Sequence, residues 1–168
     1  SSLCLLYLSN KHHVIALHRD KECYAKCSLD YSLELTDAPQ LQLLFSEIKP
    51  DIVIHCAGMT NIDICEKEPE LAYEANVIVS GNVARFVPNE TKLVYISTDQ
   101  VYGEAAGHSE DWQDLKPVNQ YGKTKLLGEE LFMQHHENHI IIRTNIFGWN
   151  VKPRRVSSAE WIYQSLKN

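Results

Sequence analysis

The stretch 92-KLVYISTD-99 decides the fold. Leu93 to Ile96 are apolar without a break, and the run stops abruptly in the hydroxyls of Ser97 and Thr98 and the carboxylate of Asp99. An unbroken run of this kind, in place of apolar–polar alternation, suits a parallel strand covered on both faces. Three other runs are built the same way: 14-VIAL-17, 51-DIVIHCAG-58 and 139-HIIIRTN-145.

Helical patterns lie between these runs, over Ala38 to Ile48, Pro69 to Phe86 and Asn119 to His136. Leu41, Leu44, Phe45 and Ile48 recur at helical spacing in the first, and Leu126, Leu127, Leu131 and Phe132 in the last. Thr36 and Asp37 are cap candidates for the first helix. Strand and helix in alternation predict a doubly wound parallel sheet with right-handed crossovers, a three-layer α/β/α Rossmann-like fold.

A Rossmann-like sheet opens with a strand and a glycine-rich turn ahead of its first helix. Here 1-SSLCLLYLSNKHH-13 reads directly as that helix, with Leu3, Leu6 and Tyr7 on one face. The far end, 156-VSSAEWIYQSLKN-168, starts another helix and stops. The chain is therefore expected to be an interior piece of a longer protein, lacking the first strand and its turn. Residues 1–150 would form a dinucleotide-binding domain and 151–168 the start of a substrate-binding region.

Composition narrows the partners. The 168 residues suffice for one core-forming domain, and 44 % hydrophobic with 23 % charged residues is a globular balance. A net charge of -6 with scattered lysines and arginines argues against nucleic acid. Cys4, Cys23, Cys27, Cys56 and Cys65 are odd in number and show no CxxC spacing, so reduced thiols and a cytoplasmic setting are expected. His135, His136 and His139 have no acidic or cysteine partner at ligand spacing, and no metal is expected. No membrane-length apolar run occurs in these residues, and no signal peptide is expected.

Ligands of such sheets bind at the carboxyl ends of the strands. The polar residues of this chain gather there: His18-Arg19, Cys56-Ala57-Gly58, Ser97-Thr98-Asp99 and Arg143-Thr144-Asn145. In 119-NQYGKTKLLGEE-130, Tyr121 and Lys125 stand one helical turn apart on one face. An ammonium beside a phenol lowers the phenol pKa from about 10 and suits it to proton transfer near neutrality. The spacing alone also fits an aromatic ring packed on a lysine stem. Ser97 and Thr98 on the same rim favour a reactive site.

Thr98, Tyr121 and Lys125 match the Ser/Thr, Tyr, Lys triad of the short-chain dehydrogenase/reductase superfamily. The segments 51-DIVIHCAGMTNIDICEKEPELAYEANV-77, 93-LVYISTDQVYG-103, 109-SEDWQDLKPVNQYGKTKLLGEE-130 and 141-IIRTNIFG-148 resemble its extended branch, most closely the dTDP-4-dehydrorhamnose reductase family. The resemblance implies that Thr98 orients a substrate carbonyl, that Tyr121 delivers a proton as hydride arrives, and that Lys125 lowers the tyrosine pKa and binds the nicotinamide ribose. It implies a small-residue turn along the cofactor at Cys56, Ala57 and Gly58, followed by Thr60. Asn76 and Ser97 fall near the cofactor edge, and Glu34 and Leu35 beside the adenine. Arg19, ahead of Asp20, suits the 2′-phosphate of NADP(H), which is favoured over NAD(H).

By the same resemblance the substrate is a nucleotide-linked deoxysugar reduced at its 4-keto group, and a homodimer built through the helices flanking the sheet would be ordinary. Gln100 and Ile146 replace aromatic residues usual in the rhamnose-forming enzymes, with Tyr102, Phe147 and Trp149 nearby. Trp112 and Trp149 line a sugar site or pack. Two other readings stay open: a non-catalytic NADP-binding regulatory subunit like the methionine adenosyltransferase beta subunit, and a nucleotide-sugar epimerase or dehydratase.

Overall fold

The computed structural model describes residues 11–19, 27–103, 115–146 and 158–167. Most of the helix expected over 1–13 lies outside these residues, as do Asp20, Trp112, Phe147 and Trp149. The chain divides into two units, one of Ser1–Glu34 with Asn145–Asn168 and one of Leu35–Thr144.

In the first unit β1 (Ile15–His18) pairs in parallel with β2 (Leu29–Ser32), Ile15 opposite Leu29 and His18 opposite Ser32. The ring of His18 meets the Asp30 carboxylate at 3.1 Å across the pair. The strand β2 was not expected. Its sequence, LDYS, mixes polar and apolar residues and is exposed throughout, so it carries no buried run to mark it.

The second unit holds β3 (Ile52–His55), β4 (Lys92–Ser97) and β5 (His139–Arg143), all parallel in the order β3-β4-β5. Helix α1 (Ala38–Ile48) begins where Asp37 Oδ1 accepts from the Gln40 amide at 3.1 Å. It buries Leu41 and Phe45 and ends at Lys49, which is left-handed at φ 46°. Helix α2 (Ile62–Lys67) follows β3. The single helix expected over Pro69 to Phe86 is three pieces on one run: α3 (Pro69–Tyr73), a π-helical turn (Glu74–Ile78) and α4 (Val79–Phe86). Helix α5 (Gln120–His135) lies against the π-turn, α4 and β4. Helix α6 (Ser158–Ser165) belongs to the first unit.

Strand register separates the two faces of this sheet. Leu93, Tyr95 and Ser97 alternate onto the helix-covered face with His55, and all four are buried. There Tyr95 packs on Phe132, ring centroids 4.5 Å apart, and the His55 ring stacks at 5.6 Å from Tyr95 and 5.5 Å from Phe132. Ile52, Ile54, Ile140 and Ile142 occupy the other face and are exposed. Burial on both faces, expected from the apolar runs, is therefore met on one face only among the described residues.

The other two long helical segments lie within a residue of where the sequence places them, and each of the four apolar runs holds a strand, the one in 51–58 ending early at His55. The fold is an α/β arrangement of parallel strands of Rossmann-like type. Among the described residues no helix is long and apolar enough to cross a membrane.

Candidate active site

The site is built at the carboxyl end of β4. The chain leaves the strand in an extended conformation at Thr98 and enters a 3-10 turn, Asp99–Val101. Thr98 caps that turn: Oγ1 accepts from the Gln100 amide at 3.2 Å, and the hydroxyl donates to Asp99 Oδ1 at 3.1 Å.

Helix α5 is pinned to this turn from its first residue. Asn119 Oδ1 accepts from the Gly122 amide at 2.7 Å, the usual work of an N-cap asparagine, while its Nδ2 donates to Gln100 Oε1 at 2.9 Å. Glu66, from α2, accepts from the Gln120 amide at 2.6 Å and so places a carboxylate at the positive end of the helix. A side chain on Gly122 would overlap the Gln100 carbonyl, so glycine is needed for this closeness.

The result is that the Tyr121 phenol lies beside the Thr98 hydroxyl. Burial pushes the Tyr121 pKa up; the Thr98 contact opposes this, and Cys65 and Asp99 add to the rise. The phenol therefore stays protonated through neutral pH.

Lys125 lies one turn further along α5 and is buried. Its ammonium donates to the Ile96 carbonyl at 2.8 Å and sits 4.0 Å from the centroid of the Tyr95 ring, an inward cation–π position. Burial lowers its pKa to about 8, opposed by the charges of Glu129 and Cys56. The lowering of the Tyr121 pKa by Lys125, expected from their spacing, is not found here. Desolvation dominates at the phenol, and the ammonium is committed to β4.

Gly58 and Asn76 meet behind the loop that follows β3. The Asn76 side chain is buried in the π-turn; its Oδ1 accepts from the Met59 amide at 2.7 Å, and its Nδ2 donates to the Met59 carbonyl at 3.1 Å and to Thr124 Oγ1 at 2.9 Å. π-turns recur at functional sites because the widened turn re-aims a side chain. Here it sends a carboxamide beneath residues 56–60. Gly58 has φ 156°, and a Cβ there would lie 2.7 Å from Asn76 Oδ1. Cys56 and Thr60 are exposed and Ala57 is half-buried.

Ser97 is buried, and its hydroxyl donates to Glu129. Leu35 offers its carbonyl to Asn82 Nδ2 at 3.0 Å. Arg19 and Glu34, both exposed, belong to the other unit, where the Arg19 carbonyl accepts from the Ser32 hydroxyl at 3.4 Å. The structure thus brings Thr98 and Tyr121 into contact, joins Gly58 to Asn76 and sets Lys125 behind the β4 end. The sequence reading missed Glu66 and Glu129. Glu129 had a signal, because it follows Lys125 by the same spacing at which Lys125 follows Tyr121. Glu66 had none: its partner is far along the chain.

The family model described as RmlD substrate binding domain matches residues 2–151. Among curated relatives, the methionine adenosyltransferase 2 subunit beta of Xenopus laevis is 33 % identical over 137 residues, 80 % of this chain and 41 % of the relative. Among solved structures, the dTDP-4-dehydrorhamnose reductase of Bacillus anthracis in complex with NADP is 34 % identical, with TM-score 0.64 over 74 % of this chain and 47 % of that one. A hypothetical dTDP-4-dehydrorhamnose reductase from Sulfolobus tokodaii is 35 % identical, with TM-score 0.75 over 86 % of this chain and 51 % of that one. The chain spans about half, or less, of the length of these proteins.

Proposed function

The chain belongs to the RmlD substrate binding domain family, and from that premise we propose that it serves an NADP(H)-dependent reductase of the 4-keto group of a nucleotide-linked deoxysugar. The observation that carries this reading is the Tyr121 phenol held against the Thr98 hydroxyl at the open end of β4. On this reading residues 1–150 are the dinucleotide-binding domain and 151–168 begin the substrate region. A cytoplasmic setting and a homodimer through the helices flanking the sheet complete the proposal.

The residues at the rim fit a dinucleotide. Cys56, Ala57 and Gly58 are small, and Asn76 fixes the backbone after them so that it stays close-packed from below and open above. Arg19, exposed at the end of β1, is the residue that would take a 2′-phosphate. NADPH, when bound, supplies the hydride. Thr98 then orients the substrate oxygen by its hydroxyl, and Tyr121, kept protonated by burial, gives its proton to that oxygen as negative charge builds there. Lys125 supplies positive charge behind the site.

The test is the full-length protein with NADPH and a dTDP-4-keto-6-deoxysugar. Oxidation of NADPH, abolished in Tyr121→Phe with cofactor binding intact, is the expected result. Turnover by Tyr121→Phe equal to the parent would remove Tyr121 from the reaction.

One observation favours a second reading, a non-catalytic NADP-binding regulatory subunit: the Lys125 ammonium donates to the Ile96 carbonyl. That reading expects cofactor binding without NADPH oxidation in the same assay.

A further inference from the structure

Glu129 is fully buried on α5, and its carboxylate is shared between two strand ends. Oε1 accepts from the Ser97 hydroxyl, at the end of β4, and from Arg143 Nε, at the end of β5, at 3.2 Å. Oε2 accepts from Arg143 Nε at 3.1 Å and Nη2 at 2.9 Å. The guanidinium reaches further: Nη1 donates to the Tyr102 hydroxyl at 3.2 Å, and its carbon lies 5.3 Å from the Tyr102 ring centroid.

The ends of this network have a meaning in the chain. Ser97 immediately precedes Thr98, and Tyr102 closes the turn Asp99–Val101 that Thr98 caps, its amide donating to the Asp99 carbonyl at 3.0 Å. Glu129 thus grips the Thr98 turn on one side and, through Arg143, on the other. Tyr121, Lys125 and Glu129 follow one another at four-residue intervals on α5, so the same helix face carries the phenol and the carboxylate that ties down its partner turn.

Stability does not account for the pair. A buried ion pair spends most of its attraction on desolvation, and apolar groups of equal volume hold a core as well. Directed hydrogen bonds do what apolar groups cannot: they fix both ends of a short turn to one point.

We propose that Glu129 and Arg143 are positioning residues, acting through Ser97 and Tyr102 to hold the Thr98 hydroxyl in register with Tyr121. The proposal rests on the reductase reading for its effect on turnover, and on geometry alone for its effect on the turn.

The experiment uses the full-length protein and two variants, Tyr102→Phe, which removes only the hydroxyl that Arg143 reaches, and Glu129→Gln. Three quantities are read: kcat, KM for both substrates, and amide hydrogen exchange at Gln100 and Tyr102 against that in β3. Tyr102→Phe is expected to lower kcat about tenfold with KM unchanged, since small misplacement of a reacting group is costly. Exchange at Gln100 and Tyr102 rises with it while β3 is unaffected. Glu129→Gln exaggerates each change; if it fails to fold, Tyr102→Phe decides. Parent-like kcat, or a fall in kcat without faster exchange at these two amides, overturns the proposal. If the parent oxidises no NADPH, the reductase reading fails, and exchange alone shows whether the network holds the turn.

Discussion

Asn76 holds Met59 by both of its backbone polar groups, the amide at 2.7 Å and the carbonyl at 3.1 Å. A buried carboxamide with its oxygen and nitrogen both spent this way defines the path of the chain next to it. The adjacent Gly58 sits where no other residue fits: its φ of 156° is strained for a side chain, and a Cβ would lie 2.7 Å from Asn76 Oδ1.

Gly58→Ala is therefore expected to cost about 1–3 kcal/mol, the usual range for overpacking a closed site. Urea unfolding measures it. NADPH affinity should fall in the same variant, because the displaced backbone lies on the proposed cofactor path. Parent stability and parent affinity together would show that the loop yields without cost.

His55 leads to a pH dependence. It is buried between Tyr95 and Phe132, its Nε2 is 3.1 Å from Ser80 Oγ, and burial with the nearby Lys125 charge lowers its pKa to about 3. The ordinary value, near 6.5, applies to the unfolded chain. Between the two values the unfolded state binds a proton that the folded state refuses. Stability from this group is complete above about pH 6.5 and is lost as pH falls toward 3, by up to about 1.4 kcal/mol per pH unit. Urea midpoints at pH 7 and pH 5 should differ more for the parent than for His55→Gln. Equal differences would place a charged imidazole in the core.

Much of this was legible in the sequence, and the limits have physical causes. The runs at Leu93 and Ile140 and the helix spacing after Asn119 come from burial periodicity, which is local and strong. Thr98 and Tyr121 could be paired because parallel topology sends strand ends and helix starts to one rim. The direction of Lys125 could not be read: a flexible stem one turn from Tyr121 reaches the phenol or Ile96 equally well, and only the surrounding packing decides. The π-turn was equally hidden, since one extra residue in a helical turn leaves the apolar spacing of Val77, Val83 and Ala84 nearly intact. The role of Asn76 followed from that turn, and so it emerged as a brace for the loop.

Lys125 sets an alkaline limit on the proposed reaction. With its pKa lowered to about 8 by burial, the ammonium loses its charge as pH rises through that value, while Tyr121, raised by burial, keeps its proton. The kcat of the parent should decline above about pH 8. In Lys125→Arg the charge persists, so any remaining activity should decline only at higher pH. An unchanged alkaline limb in Lys125→Arg would assign the limit to another group.

Arg19 stands exposed just after β1, its own carbonyl engaged by Ser32. Sheets of this kind distinguish the two dinucleotides at this position, an acidic residue accepting from the ribose hydroxyl and an arginine pairing with the phosphate. Charge-assisted contacts to a phosphate contribute about 1.5–3 kcal/mol. Arg19→Ala is accordingly expected to weaken NADPH binding roughly tenfold to a hundredfold and to leave NADH binding within about twofold. Fluorescence titration of the full-length protein with each cofactor reads both numbers. Equal loss of NADPH and NADH would mean that Arg19 supports the strand end and does not read the phosphate.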